Sequence, residues 1–399
     1  MKPIHYFAGG NTARGFYTCF EDILPRAERR RMFYLKGGPG VGKSTMMRRV
    51  GEMAERAGLR VEYFHCSSDP DSLDGVCLPE RGAAMMDGTS PHVYDPVVPG
   101  ARDTLLSLGD FLDEEALRSR AREIERIQGE ISTRFRRCYR YLNAAENVRR
   151  AAERGAENAQ KALAVAEEWC GQLPLRGGAG SIRRLFAAAY TPKGRVDALG
   201  SLGSERRITL ECPFGQHATQ LMRTVAERAA ARGLKVVELL NPLSPDEIDH
   251  VVLPAHGIAF CTGVRGQSDD GEWLDAQSVF DLRETSEKEL GFDRNAFELL
   301  IQRGIEQLSV AKVLHDELET HYVGNMDFLR WKTVLNRVAG ELEIDAGAGV
   351  ASEAGRRAAY RRAAAALIQA LPVGLYCRSG TSPCKTRLNK VQYNLLHIA

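Results

Sequence analysis

Shifted against itself by 175 residues, the chain aligns 31–88 with 206–263 without a gap and with about 20 identical positions. Leu35, Gly40, Met47, Val50 and Gly58 meet Leu210, Gly215, Met222, Val225 and Gly233, and Pro70, Asp71, Asp74 and Leu78 meet Pro245, Asp246, Asp249 and Leu253. With a slightly different offset, Phe7, Ala8, Thr12 and Gly15 resemble Phe186, Ala187, Thr191 and Gly194. One structural unit is therefore used twice. In the first copy, apolar runs at about 32–36, 60–65 and 82–87 alternate with a helix-forming run at about 44–57. That alternation predicts an α/β fold: two tandem parallel-sheet units, each covered on both faces, with ligands at the carboxyl ends of the strands.

Between the first strand and the helix stands Gly37-Gly38-Pro39-Gly40-Val41-Gly42-Lys43-Ser44-Thr45, which has the spacing of a phosphate-binding loop (Walker A). Glycines let the backbone turn its N–H groups toward phosphate oxygens, and the helix that follows adds the partial positive charge of its N-terminus. Lys43 is the expected partner of the β- and γ-phosphates, and the Ser44 hydroxyl the expected Mg²⁺ ligand.

The second copy separates scaffold from chemistry. Where the first has Gly37, Gly42 and Lys43, the second has Cys212, His217 and Ala218, in Glu211-Cys212-Pro213-Phe214-Gly215-Gln216-His217-Ala218-Thr219. Such a loop should bind a triphosphate poorly, so one nucleotide per chain is expected. Features shared by both copies, including Asp71 and Asp74, read as structural: Pro70 opening a helical turn and an Asp capping it. Asp87 disappears together with Lys43, its counterpart being Thr262, and it ends an apolar run; it is the leading second Mg²⁺ residue. Asp69 competes for that role, with an Asx turn as its structural alternative. Because Gly88 follows Asp87, an acid that would orient water is missing there, which favours slow hydrolysis or transfer to another acceptor. His92 could reach the same cleft or merely fix a turn. Arg102, Arg118 and Arg120 read as solvated charges, and His315 with Glu319 falls short of a metal site.

Residues 114 to about 170 are charged and Ala-rich, with an apolar stripe at Leu117, Ile124, Ile131, Cys138, Ala145 and Ala152. One continuous helix there would be roughly 85 Å long, so a hairpin of two helices is expected, with a second helical extension near 289–340. The resulting division is an α/β domain at 1–113, a helical hairpin at 114–176, a degenerate α/β repeat at 177–288 and a helical region at 289–399. Gly347-Ala348-Gly349 marks a break before an Ala/Arg-rich helix near 354–370, and 376–399 shows little periodicity. The net charge of +2 calls for no polyanionic partner, so nucleic acid is not indicated. Nine scattered cysteines, without a Cys-x-x-Cys pair, a signal-peptide core or an apolar run of membrane-spanning length, point to a cytoplasmic protein with reduced thiols and no membrane association.

Taken together, residues 5–16, the loop, Cys66 to Gly75, Asp87 to His92 and 186–194 resemble a family of bacterial two-repeat P-loop proteins of uncharacterised function, described as ATPases or ATP-binding proteins. The resemblance spans roughly residues 1–340 and implies nucleotide binding through Gly37 to Thr45, without indicating a substrate. Members of that family can carry a recognisable P-loop in the second half, whereas here it is eroded; the stretch from Tyr376 onward also departs from the pattern. The expectation is an ATP- and Mg²⁺-dependent protein, a slow ATPase with Lys43 and Asp87 in catalytic roles. Two alternatives stay open: a phosphotransferase acting on a nucleoside or other small molecule, and a nucleotide-gated adaptor that engages a protein partner through its helical regions.

Overall fold

The computed structural model describes residues 2–90, 93–202, 205–265 and 271–344. His92 and the segments from Gly347 onward lie outside that set. In the first unit, β1 (Ile4–Phe7), a hairpin of β2 (Gly9–Thr12) and β3 (Gly15–Thr18), and β4 (Arg31–Lys36) precede α1 (Lys43–Arg56). They are followed by β5 (Glu62–His65), β6 (Leu73–Leu78), β7 (Ala83–Asp87) and β8 (Asp103–Ser107). The six-stranded sheet runs β1-β5-β6-β7-β4-β8. Strand β4 lies inside the sheet between β7 and β8, and its Met32, Phe33, Tyr34 and Leu35 are all buried, as a strand covered on both faces requires.

This sheet is mixed, which corrects the expectation of a parallel one. Strand β6 pairs antiparallel with both β5 and β7, whereas β4 is parallel to β7 and β8. Between the apolar runs at 60–65 and 82–87 lies β6, with all six residues buried; Asp74 and Gly75 interrupt its apolar pattern and hide it in the sequence. Asp74 therefore lies in a strand and caps no helix, and Pro70 opens none.

Next come α2 (Glu114–Arg118), α3 (Ala121–Ala151) and α4 (Ala159–Gly171), then the second unit. Its elements are β9 (Ser181–Leu185), the hairpin β10 (Ala188–Thr191) and β11 (Gly194–Asp197), β12 (Arg206–Glu211), α5 (Thr219–Ala231), β13 (Lys235–Leu240), β14 (Ile248–Leu253), β15 (Ile258–Gly263) and β16 (Glu272–Leu274). Read from β9, the order β9-β13-β14-β15-β12-β16 reproduces the first sheet strand for strand. Helices α6 (Glu287–Val323) and α7 (Phe328–Glu341) close the described chain.

The two units meet about a local two-fold. Phe7 and Phe186, equivalent in the repeat, exchange backbone hydrogen bonds of 2.9 and 3.0 Å. The equivalent ion pairs Arg14–Asp246 and Lys193–Asp71 flank them, the latter at 2.5 Å. This accounts for a carboxylate at both Asp71 and Asp246; the side chains are at least half exposed, so each pair contributes at most about 1 kcal/mol.

The expected hairpin within 114–176 does not form. Helix α3, roughly 46 Å long, packs along α6 from the other half, burying Ile124, Ile127, Cys138 and Leu142 against Leu308 and Leu318. Helix α4 packs on α5 of the second unit, and α7 on α1 of the first. The halves have exchanged their helical extensions, so each sheet is covered by the helices that follow the other. An apolar stripe specifies that a helix is covered but not which helix covers it, and the stripes of α3 and α6 cover each other.

Candidate functional site

The Gly37–Ser44 segment joins β4 to α1 at the carboxyl end of the sheet. Gly40 and Gly42 hold φ of 73° and 82°, left-handed values that glycine adopts without strain. Val41 is buried in the core and anchors the loop, and from Gly37 to Gly42 the only polar groups are backbone ones. Met46 N–H is the first to bond back into the helix, to Gly42 O at 2.9 Å, which puts the N–H groups of Lys43, Ser44 and Thr45 ahead of it at the positive end of α1.

Lys43 folds back over the loop, its Nζ donating to Gly37 O (2.6 Å) and Gly38 O (2.9 Å). The same ammonium lies 3.6 Å from Asp87 Oδ2, both side chains being mostly covered. Asp87 is on β7, the strand next to β4, with Leu35 as its parallel partner. Its other oxygen accepts Thr89 N–H at 2.8 Å, and Thr89 Oγ1 donates to Gly37 O at 3.1 Å. The structure thus brings Lys43, Asp87 and the loop together.

Ser44 Oγ accepts the N–H of Leu73 at 2.9 Å, and its counterpart Thr219 Oγ1 accepts that of Ile248 at 3.2 Å. In both copies the hydroxyl ties the helix to the strand beside it. Gly40 likewise answers to packing. A Cβ there would come within 2.9 Å of Val323 and 3.1 Å of Glu319 O on α6, and one at Gly215 within 2.7 Å of Ala152 O. The glycine that outlived the erosion of the second loop is the one its packing needs.

Asp74 is the site residue that sequence reasoning misplaced. Continuing the β6–β7 register by one residue beyond Gly75 and Met86 brings it opposite Asp87. It is buried and hydrogen-bonded with Cys66, and burial, reinforced by Asp87, pushes its carboxyl up to about 7. An acid whose folded value lies above its ordinary one, about 3.9, leaves the native state holding the extra proton between those limits. Its contribution is therefore fully favourable below about pH 4 and is lost as pH rises toward 7. Asp74→Asn should flatten the decline in stability between about pH 4 and 7, read as urea midpoints; equal slopes in both proteins would refute it.

Asp69 forms the Asx turn, accepting from Ser72 Oγ at 2.9 Å and Asp71 N at 3.3 Å, and faces Lys312 at 3.5 Å. Arg102 pairs with Asp103 at 2.7 Å and Arg118 with Glu114 at 3.3 Å, while Arg120 meets His321 at 3.4 Å, so none of the three turns to the loop. His315, Asp316 and Glu319 cluster on α6, but Asp316 is already paired with Lys312. Sequence reasoning did not foresee the cover: Tyr322 lies against Gly38, and Trp331 Nε1 donates to Gly42 O at 3.3 Å. No local pattern could have found residues nearly 300 positions away.

Compared with known proteins, the chain matches no family model, no curated protein and no solved structure at a significant level. What stands on the chain's own evidence is a two-lobed α/β architecture of two similar sheet-and-helix units. Among the described residues, no helix is long and apolar enough to cross a membrane, and the seven cysteines are free.

Proposed function

We propose that the first loop binds a nucleoside triphosphate, most simply ATP, with Mg²⁺, and hydrolyses it slowly in the cytoplasm, as the resemblance to two-repeat P-loop proteins implies. The observation that carries this reading is the contrast between the copies: Lys43 and Asp87 stand together across a left-handed glycine loop in one, and both are missing from the other. Phosphate oxygens would draw the Lys43 ammonium off the two carbonyls and take the N–H groups ahead of Met46. Ser44 Oγ and Asp87 are hard oxygen donors of the kind Mg²⁺ prefers, and they fit it. When bound, the cation supplies charge neutralisation at the phosphates. Lys43 would then stabilise the charge that develops during transfer. Hydrolysis stays slow because Gly88 offers no carboxylate to orient water.

Titration with ATP, with and without Mg²⁺, tests the reading. One ATP per chain, bound more tightly with Mg²⁺ and released slowly as phosphate, is the expected result; absence of binding ends it.

A second reading, nucleotide gating, is favoured by Tyr322, Val323 and Trp331 of the second half lying on the loop. ATP should then change the fluorescence of Trp331, and Trp331→Phe should abolish the change while Trp169 and Trp273 stay silent. Tight ATP binding with unaltered Trp331 emission would dispose of gating and leave the ATPase reading intact.

A further inference from the structure

The exchanged extensions meet the two loops through equivalent links, α3 to α4 on the second and α6 to α7 on the first. Asn158 N–H donates to Val279 O at 2.9 Å, as Asp327 N–H donates to Phe111 O at 2.9 Å. Asp281 N–H donates to Ala156 O at 3.4 Å, as Asp113 N–H donates to Asn325 O at 2.8 Å. Between these bonds, Glu157 bridges Phe280 and Met326 bridges Leu112. Asn158 and Asp327 then cap α4 and α7 in the same manner. Glu157 and Met326 therefore hold one and the same place in the two halves.

What they bring to it differs. The Glu157 carboxylate accepts the N–H of Gln220 at 2.9 Å with one oxygen and that of Leu221 with the other. These are the second and third N–H groups of α5, a helix of 13 residues; by the Ser44–Thr219 equivalence they correspond to Thr45 and Met46 in the first turn of α1. Two oxygens of one anion on successive N–H groups at a helix N-terminus is the arrangement by which such loops hold phosphate. The link is fastened on its other side by the Gln216 amide, whose nitrogen faces Gly155 O at 2.7 Å and whose oxygen faces Arg154 N at 2.6 Å. Met326 brings no charge to the first loop.

We propose that Glu157 is the resident ligand of the second loop: an intramolecular carboxylate in the place of a phosphate group, holding the second half permanently in its liganded arrangement. The second site was closed by substitution of its ligand as well as by loss of its lysine equivalent. It takes a soluble oxyanion only when that carboxylate is removed. This deepens the reading given above, since it leaves the first loop as the exchangeable one of the two.

The deciding experiment uses Lys43→Ala protein, so that the first loop is disabled, and adds Glu157→Ala; inorganic pyrophosphate is the probe and thermal unfolding the readout. The double variant should melt lower than Lys43→Ala and recover about 2–4 °C in saturating pyrophosphate, a rise the single variant lacks. Glu157→Gln, whose single amide oxygen keeps one of the two N–H bonds, should show a smaller drop than Glu157→Ala and a smaller recovery. Should the double variant not fold unaided, the gain in soluble refolded protein with pyrophosphate gives the same answer. Equal responses of single and double variants overturn the proposal. Conversely, Met326→Glu in the otherwise native chain should lose ATP binding at an unchanged or higher Tm, and full ATP affinity there counts against it. If the native chain binds no ATP, the function proposed above falls, while the pyrophosphate comparison still decides this inference.

Discussion

Replacing Lys43 by Ala should weaken ATP binding by roughly 100-fold, about 3 kcal/mol, while leaving the fold in place. The side chain contributes no core packing: its ammonium bonds two carbonyls of its own loop and faces Asp87. Facing phosphates, that ammonium becomes the partner of two charged oxygens, and its loss leaves them with backbone N–H groups alone. Calorimetric titration of both proteins reads the affinity, and a thermal melt controls for folding. Comparable affinities in the two proteins would sink the single-site account, whatever phosphate release showed.

The largest effect on stability is expected at Arg149, far from the loop in sequence and chemistry. This α3 side chain donates to Glu146 at 2.8 and 2.9 Å and to Glu247 at 2.6 and 2.8 Å, and all three residues are buried. Ser244 Oγ also lies within 3.4 Å of it. Arg149→Ala would leave two buried carboxylates with only the half-exposed Arg150 as cationic partner, at 2.6 Å from Glu146 and 3.6 Å from Glu247, which costs about 3 kcal/mol. A fall in Tm of about 10 °C follows. Burial alone would raise the Glu146 carboxyl, but hydrogen bonds from Arg149, Ser244 and Arg150 hold it below its ordinary range. That contribution is present above about pH 4.5 and is lost as pH falls, so the variant should lose its deficit toward acid. An unfolding free energy that changes by less than about 1 kcal/mol in urea at neutral pH would refute the expectation and show that the cluster relaxes or admits water.

Local elements were legible because each has its own period or punctuation. The run from Arg31 to Lys36, the loop and the helix closed near Gly58 emerge almost where composition puts them, and the repeat predicted that the second unit would copy the first. Strand β6 was not legible, since an Asp and a Gly inside a six-residue strand look like a turn until a neighbouring strand buries them. Asp74 was misassigned for the same reason: retention in both copies marked it as scaffold, which it is in the second, where Asn241 donates to its counterpart Asp249 at 3.0 and 3.3 Å. Only the pairing of β6 with β7 reveals that the first copy sets it against Asp87. Glu157 carried no sequence signal at all, because its partners Gln220 and Leu221 are more than 60 residues away.

The exchange of extensions has a consequence for the order in which the protein can be made. The side chains resting on residues 37–45, those of Tyr322, Val323 and Trp331, are synthesised almost 280 residues after them. Until then α1 lacks the helix that buries its outer face, and the nascent first half carries an uncovered apolar surface of the kind chaperones attend. Its folding is dominated by contacts of long sequence separation, which form slowly because so much chain must be closed first. A chain halted before α6 and α7 is therefore not a smaller version of the folded one, since its loop stands without the helices that cover it.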